Sequence, residues 1–274
     1  MNDGRRIPRV LSIAGSDSGG GAGIQADLKA FVACGVHGMT AITAITAQNT
    51  VGVTSVHVIP PETILAQVRA VSEDIGIDAV KIGMLTNVAT IEAVAKALDE
   101  LPHGTPVVLD PVMVAESGAR LLELDARAAL IELMLPRATV ATPNVPEARA
   151  LLDRGASGDA GALARAVHRL GPRVVVVTGG HRQNATDVFF DGEVLAELTG
   201  PRHPGAAAHG SGCTHSSVLA ARLASGDEPL EAARRAKEMA AAAVANGLVE
   251  IGAGAGPVDV IGLRAGVSPT GVLT

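Results

Sequence analysis

The run Val10-Leu11-Ser12-Ile13-Ala14 passes directly into Gly15-Ser16-Asp17-Ser18-Gly19-Gly20-Gly21-Ala22-Gly23, and that loop opens Ile24-Gln25-Ala26-Asp27-Leu28-Lys29-Ala30-Phe31-Val32-Ala33. A short apolar run reads as a buried strand, the glycines as a turn, and the following segment as a helix. The same unit recurs along the chain. Further apolar runs are Met39–Thr46, Ala79–Ile82, Val107–Leu109, Thr139–Ala141 and Val174–Val177. Segments of helical composition lie between them: Glu62–Glu73, Val88–Glu100, Ala126–Leu135, Pro146–Leu152 and Gly161–Leu170. Runs that are apolar on both faces belong to strands covered on both sides, as in a parallel sheet. Strand–helix alternation therefore predicts an α/β fold, with a mostly parallel central sheet and helices on both faces.

Asp187–Phe190 and Val194–Leu198 flank Asp191-Gly192, which predicts a hairpin. The end of the chain reads as two helices, Cys213–Leu223 and Glu228–Val249, and Gly155–Gly161 reads as a Gly-rich loop. There is no internal repeat and no long Pro/Ser linker, so residues 1–274 are expected to form a single domain.

Composition narrows the function. With 22 Lys plus Arg against 28 Asp plus Glu the formal charge is −6, which lacks the positive field of nonspecific nucleic-acid binding. Phe31, Phe189 and Phe190 are the only aromatics of the Phe, Trp and Tyr class, too few for a base-stacking platform. Cys34 and Cys213 cannot build a disulfide framework or a Cys-rich zinc site. Met1–Val10 has no apolar leader and the Ala-rich run Met239–Val249 is too short to span a bilayer. A cytoplasmic protein with no nucleic-acid or membrane partner is expected.

In open α/β sheets, ligands bind beyond the carboxyl ends of the strands. The residues there are Gly15–Gly23, Gln48-Asn49, Gly83-Met84, Asp110-Pro111, Pro143-Asn144 and Thr178–His181. Gly21-Ala22-Gly23-Ile24-Gln25-Ala26 fits a degenerate dinucleotide pattern, but no Asp or Glu occurs from Leu28 to Pro61, where the ribose-binding acid belongs. No Gly-Lys-Ser/Thr occurs either, which excludes a Walker loop. The glycine loop reads either as a plain turn or as backbone brought close to a ligand, with an anion at the helix start. Asp27 is favoured by the helix dipole, and it is equally a carboxylate for a donor-bearing neutral ring; Gln48 offers a matched donor and acceptor.

Thr142-Pro143-Asn144-Val145-Pro146-Glu147 has the spacing of a capping box, with Pro146 in the first helical turn. The same spacing puts an amide and a carboxylate on one face, hard oxygen ligands suited to Mg²⁺ beside phosphates. His209-Gly210-Ser211-Gly212-Cys213-Thr214 leads into an Ala/Leu-rich helix. Its glycines permit a tight turn with N–H groups aligned as an anion hole. Cys213 is placed at the helix start, where thiol pKa values fall; the plainer reading is a small buried residue, which also suits Cys34.

Together, Ile13–Asp17 with Gly20–Asp27, Ala47–Thr50 with Gly52-Val53, Lys81–Leu85, Leu109–Met113, Thr142–Glu147, Gly179–His181 and His209–Thr214 resemble the bacterial hydroxymethylpyrimidine/phosphomethylpyrimidine kinases of the ribokinase-like superfamily. The matches run in order from about Arg9 to Leu263. The resemblance implies a ribokinase-like fold and ATP-dependent phosphorylation of 4-amino-5-hydroxymethyl-2-methylpyrimidine and then of its monophosphate, on the route to thiamine. It implies ring contacts from Asp27, Gln48, Ala22, Met84 and Val112. Nucleotide contacts fall to Asn144, Thr178, Gly180 and His181, and Mg²⁺ to Glu147 and Asp110. Gly210, Ser211, Gly212 and Cys213 form the catalytic turn, with Cys213 where sugar-kinase relatives carry an aspartate base. Dimers are usual in the family, so a homodimer is implied.

Two departures stand out. Thr178 replaces a Lys often found before Gly-Gly-His, and Ala207-Ala208 replaces Asn-Thr before His-Gly. His181 or Arg182 is the expected compensating cation. The sequence leaves a pyridoxal or pyridoxine kinase, or a catalytically weak pyrimidine-binding protein, as alternatives.

Overall fold

The computed structural model describes residues 6–152, 158–179, 185–203 and 207–265. Nine strands form one sheet: β1 (Arg9–Asp17), β2 (His37–Asn49), β3 (Gly52–Val58), β4 (Ala79–Ile82), β5 (Val107–Leu109), β6 (Val140–Ala141), β7 (Val174–Val177), β8 (Asp187–Phe190) and β9 (Leu195–Leu198). Their order is β3-β2-β1-β4-β5-β6-β7-β8-β9. From β2 to β7 every pairing is parallel, and β3, β8 and β9 extend the edges antiparallel.

The period-two alternation of the strands sorts the core onto two faces. Leu11, Ile13, Val80, Ile82, Leu109, Val175 and Val177 point to one side. That side is covered by α2 (Pro61–Asp74), α3 (Val88–Asp99), α4 (Ala126–Ala129), α5 (Val145–Leu151) and α6 (Ala160–His168). Val10, Ala79, Val108, Val174, Val176 and Phe189 point to the other, beneath α1 (Gly23–Ala33), α7 (Ser211–Ala224) and α8 (Pro229–Ala245). The expected ribokinase-like α/β architecture is the one found.

Differences from the sequence reading are local. β3 is an additional edge strand; its residues are mostly exposed, so no buried apolar run marks it. It is joined to β2 by a turn in which the Asn49 side chain accepts hydrogen bonds from the Val51 and Gly52 N–H groups. The expected helix Ala126–Leu135 holds α geometry only over α4, then widens to a π turn over Leu130–Met134 and tightens to a 3₁₀ turn at Leu135–Arg137. Pro136, lacking an N–H, cannot continue an α-helix there. α8 stops at Ala245, before the expected Val249, because Asn246-Gly247 turns the chain against the Ala207 carbonyl. Of the expected loop Gly155–Gly161, residues 155–157 lie outside the described residues, and its end is helical, Asp159 capping α6 from Ala160. Among the described residues no helix is long and apolar enough to cross a membrane.

Ile82 is fully buried, in register with Ile13 on one side and Leu109 on the other. Ile82→Ala is expected to cost about 2–5 kcal/mol through lost burial and the cavity left behind. A lower urea midpoint at unchanged slope would show this, and a midpoint equal to that of the parent protein would contradict it.

Candidate active site

Because β1, β2 and β4–β7 run in parallel, their carboxyl ends meet at one edge of the sheet. A cleft of about 440 Å³ opens there. Ala14–Asp17, Gln48, Met84, Val112 and Ala22 line one half; Asn144, Thr178, Asp187, Arg202 and Lys237 line the other. Asp110, Glu147 and the turn Gly210–Cys213 also line it.

The glycine loop does a different job from either sequence reading. Asp17, at the tip of β1, accepts hydrogen bonds from the N–H groups of Gly19 (2.8 Å), Gly21 (3.1 Å) and Ala22 (2.8 Å). The anion at the start of α1 is therefore the protein's own carboxylate. His209 Nε2 lies 3.1 Å from the same Asp17 group. Burial pushes the Asp17 pKa up, but the bonds from His209, Ala22 and Gly19 outweigh it and hold the carboxyl below its usual range. Gly210 has φ +82, and a Cβ there would lie 1.8 Å from the Gly21 carbonyl oxygen. The close backbone approach that needs glycine is thus between two turns of the protein.

That contact sets the start of α7. Gly210 is its N-cap, and the Ser211 N–H turns back to the Ala208 carbonyl. The N–H groups of Gly212 and Cys213 fall in the first helical turn, where no intrahelical acceptor exists. They form the wall of the cleft with the helix dipole behind them.

Beneath the cleft sits a buried charge cluster. Lys81 Nζ is 2.8 Å from Asp27 Oδ1, and both side chains are fully buried. Ser217 and Ser12 donate to the two Asp27 oxygens at 2.7 and 2.6 Å. Asp27 corrects the sequence expectation. It is not among the residues that line the cleft, since Lys81 and the two hydroxyls occupy its carboxylate. Burial alone would drive the Lys81 ammonium to lose its proton; Asp27, Cys213 and Asp110 overcome this and raise its pKa. A lysine within Ala79-Val80-Lys81-Ile82 was the available sequence signal, a charge inside a run otherwise buried on both faces.

Asn144 and Glu147 form the expected capping box, with bonds of 2.8 and 2.9 Å. Burial, then Asp110, push the Glu147 pKa up to about 8. Burial likewise raises that of Asp110, opposed by Lys81 and by a hydrogen bond from Ser216. Cys213 differs from expectation. Burial pushes its thiol up to about 12; Lys81 and a bond from the Gly23 N–H oppose this, while Asp27 and Asp110 reinforce it. The helix start therefore does not bring a lowered thiol here: burial, with Asp27 and Asp110, outweighs Lys81 and the Gly23 N–H.

Of the expected site residues, Ala22, Gln48, Met84, Val112, Asp110, Asn144, Glu147, Thr178 and Gly210–Cys213 all line the one cleft. Gly180, His181 and Arg182 lie outside the described residues. Composition did not single out Asp17, His209, Asp187, His215 or Lys237, which long-range packing brings to the same place.

A cleft across strand ends, with an anion-binding helix start and adjacent acids, defines a phosphotransferase on a ribokinase-like fold. The sequence model of the phosphomethylpyrimidine kinase family matches residues 17–259, and the chain belongs to that family. It is 52% identical over 255 residues to a hydroxymethylpyrimidine/phosphomethylpyrimidine kinase of Rhizobium meliloti, covering 91% of this chain and 95% of that one. A Bacillus subtilis pyridoxal kinase solved as an ADP complex superposes with TM-score 0.85 at 39% identity, covering 94% of this chain and 99% of the other. A phosphomethylpyrimidine kinase from Clostridium difficile superposes with TM-score 0.74, also at 39% identity, over 85% of this chain and 97% of the other.

Two predictions arise from the buried charges. Lys81→Met strands Asp27 without its cation and is expected to cost about 3–5 kcal/mol, most of it regained in Lys81→Met/Asp27→Leu. Thermal unfolding that is equally low in both variants would contradict the pairing. The second prediction concerns pH. Glu147 holds its proton in the folded state up to about pH 8, against 4.5 ordinarily. The folded state then binds the extra proton, so stability falls as pH rises from 4.5 towards 8. Glu147→Gln is expected to flatten that fall, and parallel pH–melting curves for the two proteins would refute it.

Proposed function

We propose that this protein transfers the γ-phosphoryl group of ATP to the hydroxymethyl oxygen of 4-amino-5-hydroxymethyl-2-methylpyrimidine, and then a second phosphoryl group to the resulting monophosphate, in thiamine biosynthesis. One observation carries the reading. Gln48, Met84 and Val112 share a cleft with the N–H groups that begin α7 and with Asp110 and Glu147. A small ring in the first group presents its alcohol to a phosphate held by the second.

Gln48 gives an amide donor and acceptor for a heteroaromatic ring, and Met84 and Val112 give apolar contact. The Gly212 and Cys213 N–H groups, with those flanking them in the turn, face the oxygens of the transferring group. Their effect is largest where negative charge accumulates on those oxygens. The transition state of phosphoryl transfer is loose in most analyses, so the alcohol proton leaves late and no strong base is required. A thiol with pKa near 12 fits that demand: Cys213 stays protonated, orients the hydroxyl and takes no proton early.

Asp110 and Glu147 fit Mg²⁺. Burial raises both carboxyls, and Asp110 raises that of Glu147 further, a penalty on the ionised forms that a divalent cation would remove. Among the described residues no group of three side chains forms a ready metal cage. Mg²⁺ commonly takes one or two carboxylates and completes its shell with phosphate oxygens and water. The bound ion would offset phosphate charge.

A second reading, phosphorylation of pyridoxal, is favoured by the higher TM-score of the pyridoxal kinase, 0.85 against 0.74. Both substrates are rings with a hydroxymethyl arm. An ADP-release assay on the pyrimidine alcohol, its monophosphate and pyridoxal is expected to give the highest kcat/KM with the first two. A preference for pyridoxal would install the second reading, and background turnover with all three would remove both. Cys213→Ala is expected to lower kcat by about 10²-fold while the protein still melts cooperatively, comparable to loss of one transition-state hydrogen bond. Unchanged kcat in that variant would take Cys213 out of the mechanism.

A further inference from the structure

Outside the cleft, the turn between β2 and β3 is held by a glycine-rich segment from the far end of the chain. The Gly254 N–H donates to Thr50 Oγ1 at 3.2 Å. A Cβ at Gly252, where φ is +82, would collide with the Thr50 hydroxyl, and a Cβ at Gly254 would collide with the Thr50 carbonyl oxygen. Ile251-Gly252-Ala253-Gly254-Ala255 is exposed and lies in neither helix nor strand, and the chain becomes buried at Gly256. There it meets His209. The Gly256 carbonyl accepts the His209 N–H at 3.2 Å, and the His209 carbonyl accepts the Val258 N–H at 3.1 Å. One strap of chain therefore touches the tip of β2 at one end and the residue before Gly210 at the other.

The tip of β2 carries Gln48, which lines the cleft two residues before Thr50. The backbone of Gln48 is pinned from the β1 side. Ser18 Oγ donates to its carbonyl at 2.6 Å and accepts its N–H at 2.9 Å. On the β3 side the ladder slips by one residue between Ala47 and Gln48, a bulge that re-aims the strand. Beyond the bulge only a tight turn remains, and β3 is mostly exposed. An exposed edge hairpin of this kind opens locally at low cost unless something packs on it. The strap is what packs on its tip. Glycine loses more conformational freedom on ordering than any other residue, so an ordered Gly252–Gly256 is unfavourable in itself. Close approach to both the side chain and the carbonyl of Thr50 is what requires glycine at 252 and 254. Among the described residues neither Thr50 nor Gly252–Gly256 lines the cleft, so their influence on a ligand runs through Gln48 and His209. Gln48 at the ring end and the start of α7 at the phosphoryl end are thus referred to one strap. Small misplacements between reacting groups lower rates steeply, so a fixed span across the cleft has a chemical use.

We infer that Thr50 is a positioning residue for the ring alcohol, and that the strap Gly252–Gly256 sets the distance from Gln48 to the first turn of α7. The strap holds the tip of β2 from outside, as Ser18 holds it from the β1 side. This rests on the ring-alcohol reading above and adds the residues that place its amide contact.

Calorimetric titration with the pyrimidine alcohol and, separately, with ADP tests it without turnover. Gly254→Ala drives a methyl group against the Thr50 carbonyl. It is expected to weaken alcohol binding about ten-fold, with ADP affinity changed less than about two-fold. Thr50→Val keeps the shape and loses the hydroxyl, and is expected to weaken alcohol binding about three- to ten-fold, the scale of one hydrogen bond. Thr50→Ser keeps the hydroxyl and is expected to bind the alcohol within about two-fold of the parent protein. Should Gly254→Ala fail to fold, the two Thr50 variants decide alone. Parent-like alcohol binding by Thr50→Val, or equal losses for alcohol and ADP, would overturn the assignment and leave a strap that only stabilises the fold. Absence of alcohol binding by the parent protein would instead overturn the ring-alcohol reading itself, and this assignment with it.

Discussion

The site depends on two glycine turns pressed together. Gly210 presents its α-carbon to the Gly21 carbonyl at a distance that admits no side chain, and it does so at positive φ. Asp17 locks the pair, one carboxylate serving three backbone N–H groups of the first turn and the imidazole of His209 beside the second. The start of α7 is thereby held against the tip of β1, although about 190 residues separate them in the chain. Loop closure over that length is costly unless something rigid receives it, and the parallel sheet provides the rigid partner. The Gly23 N–H bond to Cys213 extends the same junction.

Around this junction the charges are arranged by depth. The deepest pair, Lys81 with Asp27, balances its own charge, and the Ser12 and Ser217 hydroxyls complete the hydrogen bonds of the carboxylate. Nearer the cleft, burial pushes the carboxyls of Asp110 and Glu147 up, and Asp110 adds to the rise at Glu147. The proposed phosphoryl transfer needs the opposite sign, which the N–H groups at the start of α7 offer and a divalent cation on Asp110 and Glu147 would add. In the proposed reaction this cleft would take a neutral ring at one end and, beside its acids, a polyanion with its counter-ion at the other.

Much of this was legible in residue order. Ala79–Ile82, Val107–Leu109 and Val174–Val177 are strands with the boundaries their apolar runs predict, because both faces of each are covered. The capping box at Asn144 and Glu147 is a local pattern and was read as one. β3 escaped notice because an exposed edge strand has little hydrophobic signature. Asp27 was misplaced for a different reason: helix position tells which turn a carboxylate occupies, not whether a lysine 54 residues later claims it. Cys213 was rightly placed at a helix start, but its protonation depends on Asp27, Asp110 and Lys81, which reach it only through the tertiary fold.

The central claim is that ring alcohol and nucleotide phosphate meet at the first turn of α7. A crystal structure with ADP, a metal-fluoride mimic of the transferring phosphoryl group and the pyrimidine alcohol addresses it directly. The account predicts the mimic on the N–H groups of Gly210 to Cys213, with the ring between Gln48, Met84 and Val112 and its hydroxymethyl oxygen pointing at the mimic. A mimic bound elsewhere in the cleft, or a ring lying on the Lys237 side of it, would contradict the account.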